Sequence, residues 1–322
     1  MARKRRNDVI DESTVGVYHA WTRASRRAFL MGLDRQTGRD FRHRKELVRR
    51  RIEMLCSVFA VECCDHTVLD NHLHLILRNR PDLVATWSDE EVARRWLRLR
   101  VSELALRGEP KAEWVAELVN DPQRLAAARK ALSSISYFMK YLKQPLAVVF
   151  NAEDGCTGYF WQSRFSCDRL VDDAALLVCS LYVNLNPIRA GLADRPEEAE
   201  YTSAYGRIQD ARSRDSRRPQ SGYLASVHVD GDGYDGVSAG RRASNKGFLG
   251  LAFAEYLELL DGIARREQVE RGGGELLEYP PVLARLGIDL ASWENAVRLT
   301  SRRFARELAI MAAMADEARP RR

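Results

Sequence analysis

The sequence predicts an α+β protein built on a four-stranded antiparallel sheet with its helices on one face. Three observations lead there. Stretches with strand and helix periodicity follow in the order strand, helix, strand, strand, helix, strand; the tight-turn pair Asp70-Asn71 joins the two middle strands; and the second of these sets leucines and histidines on opposite sides.

In the first strand, residues 15–23, Val17, His19 and Trp21 alternate with Tyr18, Ala20 and Thr22. Residues 41–57 carry Leu47, Ile52 and Leu55 at helical spacing among many arginines. Residues 58–69, rich in Val, Phe, Cys and Thr, form the second strand and residues 72–78 the third. There Leu73, Leu75 and Leu77 should pack on helices, leaving His72, His74 and Ile76 on the working side. A polar, Trp-containing helical insertion spans about 87–130 and is punctuated by Pro122; the run 123–151 continues as helix and must bend or restart at Pro145. Aromatic residues 159–165, following Gly155 and Gly158, read as the fourth strand. Asp172 or Asp173 caps a final helix with Leu176, Leu177, Leu181 and Leu185 as its core stripe, ending at Pro187. This order matches a ferredoxin-like sandwich with the second sheet face open to a ligand. Around the main domain, residues 14–206, lie a basic tail over 1–13, a Gly/Ser/Arg/Asp-rich flexible linker over 207–247 and a C-terminal helical extension over 248–322.

The chain has 322 residues, 45% of them hydrophobic, enough for a sizeable core. No apolar run approaches the roughly 20 residues that cross a bilayer, so the expectation is a soluble, cytoplasmic protein. Cysteines 56, 63, 64, 156, 167 and 179 include no CxxC pair and read as reduced core residues. Of the formal charge of +6, residues 1–57 hold 15 Lys/Arg against 7 Asp/Glu, an excess of +8. Arg3, Lys4, Arg5, Arg6, Arg23, Arg26 and Arg27 are therefore candidate phosphate contacts, as are Arg42, Arg44, Lys45 and Arg49 to Arg51; a solvated arginine-rich helix face is the alternative.

The chemistry lies in two separate stretches. In Asn71-His72-Leu73-His74-Leu75 the strand presents two imidazoles together, half of a metal site. About a hundred residues on, Tyr182 and Asn186 share a helix face one turn apart. A histidine pair, a phenol and an amide are the parts of a metal-assisted tyrosine nucleophile acting on a phosphodiester. A phenol with an ordinary pKa of about 10 attacks poorly unless charge is withdrawn from the phosphate. Two imidazoles and one amide oxygen leave positions open for phosphate oxygens, which suits Mg²⁺ or Mn²⁺, with Mn²⁺ favoured in vitro because no carboxylate is expected. The absence of a GxxxxGK[ST] loop accords with needing no nucleotide cofactor.

Taken together, Asp70-Asn71-His72-Leu73-His74-Leu75, Trp161-Gln162-Ser163-Arg164-Phe165 and Tyr182-Val183-Asn184-Leu185-Asn186-Pro187-Ile188-Arg189-Ala190-Gly191-Leu192 resemble the single-tyrosine HUH transposases, and within them the REP-associated tyrosine transposases, over about residues 14–206. The resemblance implies His72 and His74 as ligands of Mg²⁺ or Mn²⁺, Asn186 as the third ligand where many relatives carry Gln, and Tyr182 as the nucleophile. It implies cleavage and rejoining of single-stranded DNA next to hairpins, through a 5′-phosphotyrosine with release of a 3′-hydroxyl. The implied partner is single-stranded or hairpin DNA, with Gln162 and Arg164 as further contacts, and the protein a monomer or homodimer.

Duller readings stand beside this one. A His-x-His pair can be structural, Tyr137 and Tyr141 also sit at one-turn spacing, and Asn186 could simply precede Pro187. Trp161 and Phe165 read as core or stacking residues, His19 faces the same way as Trp21, and His43 and His66 read as structural. Competing functions are a domesticated, non-cleaving hairpin binder and a small-substrate metal phosphoesterase. The latter lacks its motifs: position 76 is Ile, and no His is followed two residues later by Thr or Ser.

Overall fold

The computed structural model describes residues 8–25, 30–34, 38–99, 109–212, 220–228 and 240–272. The strands are β1 (Gly16–Arg23), β2 (Val61–Val68), β3 (His72–Asn79) and β4 (Ser166–Leu170), and the sheet order is β2-β3-β1-β4, antiparallel throughout. With helix α1 (His43–Val58) between β1 and β2, this is the expected ferredoxin-like topology. The histidine strand β3 is central, paired on both sides.

The two sides of β3 feed two cores. Leu73, Leu75 and Leu77, with Tyr18 and Ala20 of β1, face α1 and α6 (Ile135–Glu153). On α1, Val48, Ile52 and Leu55 fall at the i, i+4, i+7 spacing of one helical face. The fully buried Arg44 ties α1 to the end of α6: its Nε donates to Glu153 at 2.9 Å and its Nη2 to Asp154 at 2.6 Å. The insertion is part of this core rather than an appendage. Its helices α3 (Asp89–Arg98), α4 (Ala112–Val119) and α5 (Pro122–Ala131) contribute Val92, Leu97, Val115, Leu118 and Leu125, and α2 (Pro81–Thr86), just before it, adds Val84.

The second sheet face is covered too, which corrects the expectation of helices on one face only. Helix α7 (Asp173–Arg189) lies on it, and Ile76 and Cys64 share a core with Leu177, Leu181, Val183 and Leu185 of α7 and Leu259 and Leu260 of α9 (Phe253–Gly272). A helix as apolar all round as α7, buried from Leu176 to Ile188, needs partners on every side, and the sheet supplies one of them.

Other boundaries differ from expectation for local reasons. The fourth strand is Ser166–Leu170, not 159–165: the aromatic stretch docks on α6, where the Trp161 indole N–H donates to the Lys143 carbonyl at 2.8 Å. Val58 ends α1, so β2 starts three residues later. The long helical run breaks at residues 132–134, where the Ser134 side chain caps α6, and α6 continues through Pro145. Proline at 145 cannot donate to the carbonyl four residues earlier, and that carbonyl, Tyr141 O, accepts from Arg51 Nε at 3.1 Å. Helix α7 likewise runs two residues past Pro187. It ends in a paired turn at Gly191 (φ +67°), where Gly191 N donates to Ile188 O at 3.0 Å and Leu192 N to Pro187 O at 2.9 Å.

The first residues of the stretch read as a flexible linker, 207–212, belong to helix α8 (Ser203–Arg212). Residues 220–228 bury Tyr223, Leu224 and Ala225, with Ala225 N donating to Cys63 O at 2.9 Å. The Lys246 and Gly247 carbonyls accept from Arg78. Residues 273–322, most of the expected extension, lie outside the described residues, and no described helix is long and apolar enough to cross a membrane.

Nothing lies within 4 Å of a Cβ built on Gly191, so only its backbone conformation is at stake. Gly191→Ala is expected to lower stability by about 1–2 kcal/mol, read as a shift in the urea midpoint; an unchanged midpoint would contradict the cap.

Candidate active site

Cross-strand register assembles the polar side of the sheet. His72 faces Arg23, His74 faces Trp21, and Ile76 faces His19 across β3 and β1; beyond them Thr67 on β2 faces His74 and Asp168 on β4 faces His19. Directly opposite residues in an antiparallel pair project to one side, so two rows of alternating residues converge without any loop.

The rings are closely set. His72 and His74 have centroids 5.0 Å apart and nearly perpendicular planes; His19 stacks on His74 at 5.1 Å and on Trp21 at 4.9 Å. His72 Nδ1 lies 2.6 Å from Asn71 Oδ1, and His74 Nδ1 lies 2.9 Å from His19 Nε2. An amide oxygen only accepts, so the neutral His72 ring carries its proton on Nδ1 and keeps the Nε2 lone pair. If His74 donates to His19, its Nε2 is in the same state. Burial first, and then Arg23, pushes His72 down to about 3. His74 is held well below the ordinary range by burial, then by His72, His19 and Arg23. Both rings are neutral at pH 7, the form that ligates metals.

Helix α7 brings the other half. The Asp172 carboxylate caps it by accepting from Ala175 N at 2.7 Å. Tyr182, 4% exposed, meets His74 edge-on at 5.7 Å and His19 at 6.2 Å between centroids. Asn186 follows one turn on, 2% exposed, and its amide nitrogen has no hydrogen-bond partner. Asn184 on the same helix is fully used: Nδ2 donates to Ser180 O and Tyr256 Oη, and Oδ1 accepts from Ala204 N.

One neighbour, Arg189, went unpredicted as part of the site, and His19 was placed near it only by its side of the strand. The Arg189 guanidinium lies 5.3 Å from the Tyr182 ring centroid. Seven residues is two helical turns, and that spacing was the available signal. His19 was aligned with Trp21 by alternation, but only the register reveals its contact with His74.

Among the described residues no group of three or more His, Cys, Asp or Glu side chains is arranged to hold a metal ion. A cation here would rest on two imidazoles and neutral oxygens. The donor set fits such an ion: both rings are neutral, their Nδ1 atoms are engaged, and the buried Asn186 amide is not tied down through its nitrogen.

The candidate phosphate contacts divide. Arg3, Lys4, Arg5, Arg6, Arg26 and Arg27 lie outside the described residues. Arg23 flanks His72. Gln162 and Arg164 are exposed, with Gln162 N donating to Arg23 O at 3.0 Å. The arginines around α1 serve the protein instead: Arg42 pairs with Asp40, Arg44 with Glu153 and Asp154, Lys45 with Asp70, and Arg49 and Arg50 with Glu46; Arg51 bonds the Tyr141 carbonyl. His43 pairs with Glu153 and the buried His66 with the Tyr223 hydroxyl, as structural histidines do. All six cysteines are free thiols, four of them buried.

No family model and no curated protein matches the sequence. Among solved structures the chain is similar to one described as the REP-associated tyrosine transposase bound to a REP hairpin, with 14% identity and a TM-score of 0.38, covering 66% of this chain and 87% of that one.

Two expectations follow. Asn184→Ala should lower stability by about 1–3 kcal/mol by stranding buried partners, whereas Asn186→Ala, which removes an amide nitrogen with no partner, should cost clearly less in the same urea titration; equal losses would show that Asn186 is a structural residue. Burial lowers His66, like His72, from 6.5 to about 3, so the unfolded chain takes up protons that the native state refuses. Stability should therefore fall progressively as pH drops from 6.5 toward 3, and a flat urea midpoint between pH 7 and pH 5 would contradict this.

Proposed function

We propose that this protein is a metal-dependent transposase-type endonuclease and strand transferase that cleaves and rejoins single-stranded DNA near hairpins through Tyr182. The observation that carries the reading is the convergence of the Tyr182 ring on His74 and His19, at 5.7 and 6.2 Å, from elements more than a hundred residues apart in sequence.

His72, His74 and Asn186 would hold a Mg²⁺ or Mn²⁺ ion, which when bound withdraws charge from a phosphate and orients it. The chain's own residues do the rest. The buried helix holds the phenol over the sheet, so little orientational freedom is lost when it meets phosphorus. Arg189, lying over the ring, favours negative charge on the phenol oxygen, and Arg23 beside His72 offers a cation to the scissile strand. The Tyr182 oxygen bonds to phosphorus as the P–O3′ bond breaks. The phenol proton leaves to water and the released O3′ collects one, giving a 5′-phosphotyrosine and a 3′-hydroxyl. Attack by a second 3′-hydroxyl reverses the step and frees the tyrosine. The bond energy is kept in the adduct, so rejoining needs no nucleotide cofactor.

The test is incubation with a single-stranded hairpin oligonucleotide and Mn²⁺, followed by denaturing electrophoresis. Wild type should give a covalent protein–DNA species; Tyr182→Phe should give none, and chelation should abolish it while hairpin binding persists. Arg189→Met should slow its formation roughly 10²-fold. A Tyr182→Phe protein that still forms the adduct would remove the assignment, and binding without cleavage under any divalent metal would favour the non-cleaving hairpin binder.

A further inference from the structure

We propose that the groove between α6 and residues 159–165 binds unpaired nucleotides adjoining the phosphate at the histidines, by stacking bases on Tyr159 and Tyr137; this rests on the reading of the site just given. The cavity measures about 710 Å³. Tyr137, Lys140 and Lys143 of α6 form one wall; Tyr159, Gln162 and Arg164 form the other.

The groove's aromatic residues split into two kinds. Trp161 and Phe165 turn inward, at 7% and 3% exposure, and the Trp161 indole is bonded to α6. Tyr159 is 88% exposed and Tyr137 42%, although rings of that size are usually covered at least in part. Lys143 Nζ donates to the Ser163 carbonyl at 2.8 Å, bridging the walls, so the exposed rings are presented from an anchored segment. Lys140 sits 5.8 Å from the Tyr137 ring centroid and Lys143 5.7 Å from that of Trp161. Among the described residues that line the groove, none is Asp or Glu.

Exposed ring faces interleaved with cations, and no carboxylate among them, complement a strand of bases and phosphates. Carboxylate-bearing partners would find the cations but leave the rings unused. Position supports the same occupant. Ser25 N donates to Phe160 O, Gln162 N donates to Arg23 O at 3.0 Å, and Arg23 faces His72 across the sheet. The groove wall is thus attached to β1 at the residue beside the first imidazole.

Binding of the full-length protein to two hairpins, one blunt and one bearing a single-stranded extension with 2-aminopurine, tests this in chelator. Wild type should prefer the extended hairpin and quench the 2-aminopurine. Tyr159→Ala should weaken binding of the extended hairpin on the order of tenfold, with Tyr159→Phe restoring it and the blunt hairpin indifferent to both. Lys140→Ala should make the salt dependence shallower by about one ion. The proposal is overturned if Tyr159→Ala and the Tyr137→Ala/Tyr159→Ala double variant bind the extended hairpin like wild type, if they lose both hairpins in parallel, or if wild type binds neither. Adduct formation with Mn²⁺ separates the two readings: an adduct with groove variants that bind normally sinks only the groove, while groove-dependent binding without an adduct supports the groove and sinks only the nucleophile.

Discussion

The carboxylate of Asp65 is the constraint on which the site's geometry depends. It is fully buried on β2, where an unpaired charge would be intolerable. Oδ1 accepts from Arg207 Nη1 at 2.6 Å and Oδ2 from the Ser180 hydroxyl at 2.5 Å. Arg207 also reaches the Cys64 and Ala225 carbonyls, and the Tyr256 hydroxyl of α9 lies 2.9 Å from both Ser180 Oγ and Asn184 Nδ2. One charge therefore joins β2, α7, α8 and α9. Ser180 and Asn184 are one turn apart on one side of α7; at 100° per residue, Tyr182, Asn186 and Arg189 fall on the other. Gripping the first side sets the rotation of the helix and hence the direction of the phenol.

The opposite side of α7 meets an environment of different character. Two neutral imidazoles lie there under low dielectric, with guanidinium groups at Arg23 and Arg189 near its margins. The cations of the arginine-rich α1 are matched within the chain, Arg44, Arg49 and Arg50 with carboxylates and Arg51 with the Tyr141 carbonyl.

Much of this was legible in the residues, and what was not has physical causes. Period-two alternation in Leu73–Leu77 against His72–His74 gave the histidine strand, its two faces and the hairpin before it, because the pleat leaves no other arrangement. Spacing of four gave the shared face of Tyr182 and Asn186. The fourth strand was misplaced because β4 is a short, half-exposed edge strand with polar residues, while the aromatic run before it packs against α6. Prolines 145 and 187 suggested helix breaks, but a side chain at Arg51 and a glycine turn at Gly191 satisfied or ended those helices in ways no local pattern encodes. The covered second face was missed for a similar reason: the Asp65 cluster that seats α7 there joins residues as distant as 65, 180, 207 and 256.

The alternation of β3 also binds two kinds of selection together. Sliding that strand by one position would bring imidazoles into the leucine layer and turn the leucines toward α7, so the apolar contacts that hold the sheet also fix the alignment of its histidines. Drift that merely loosened the fold would be felt first as lost stability, long before a misaligned but intact version could accumulate. A substitution that loosened the register of this central strand would therefore cost packing and alignment together.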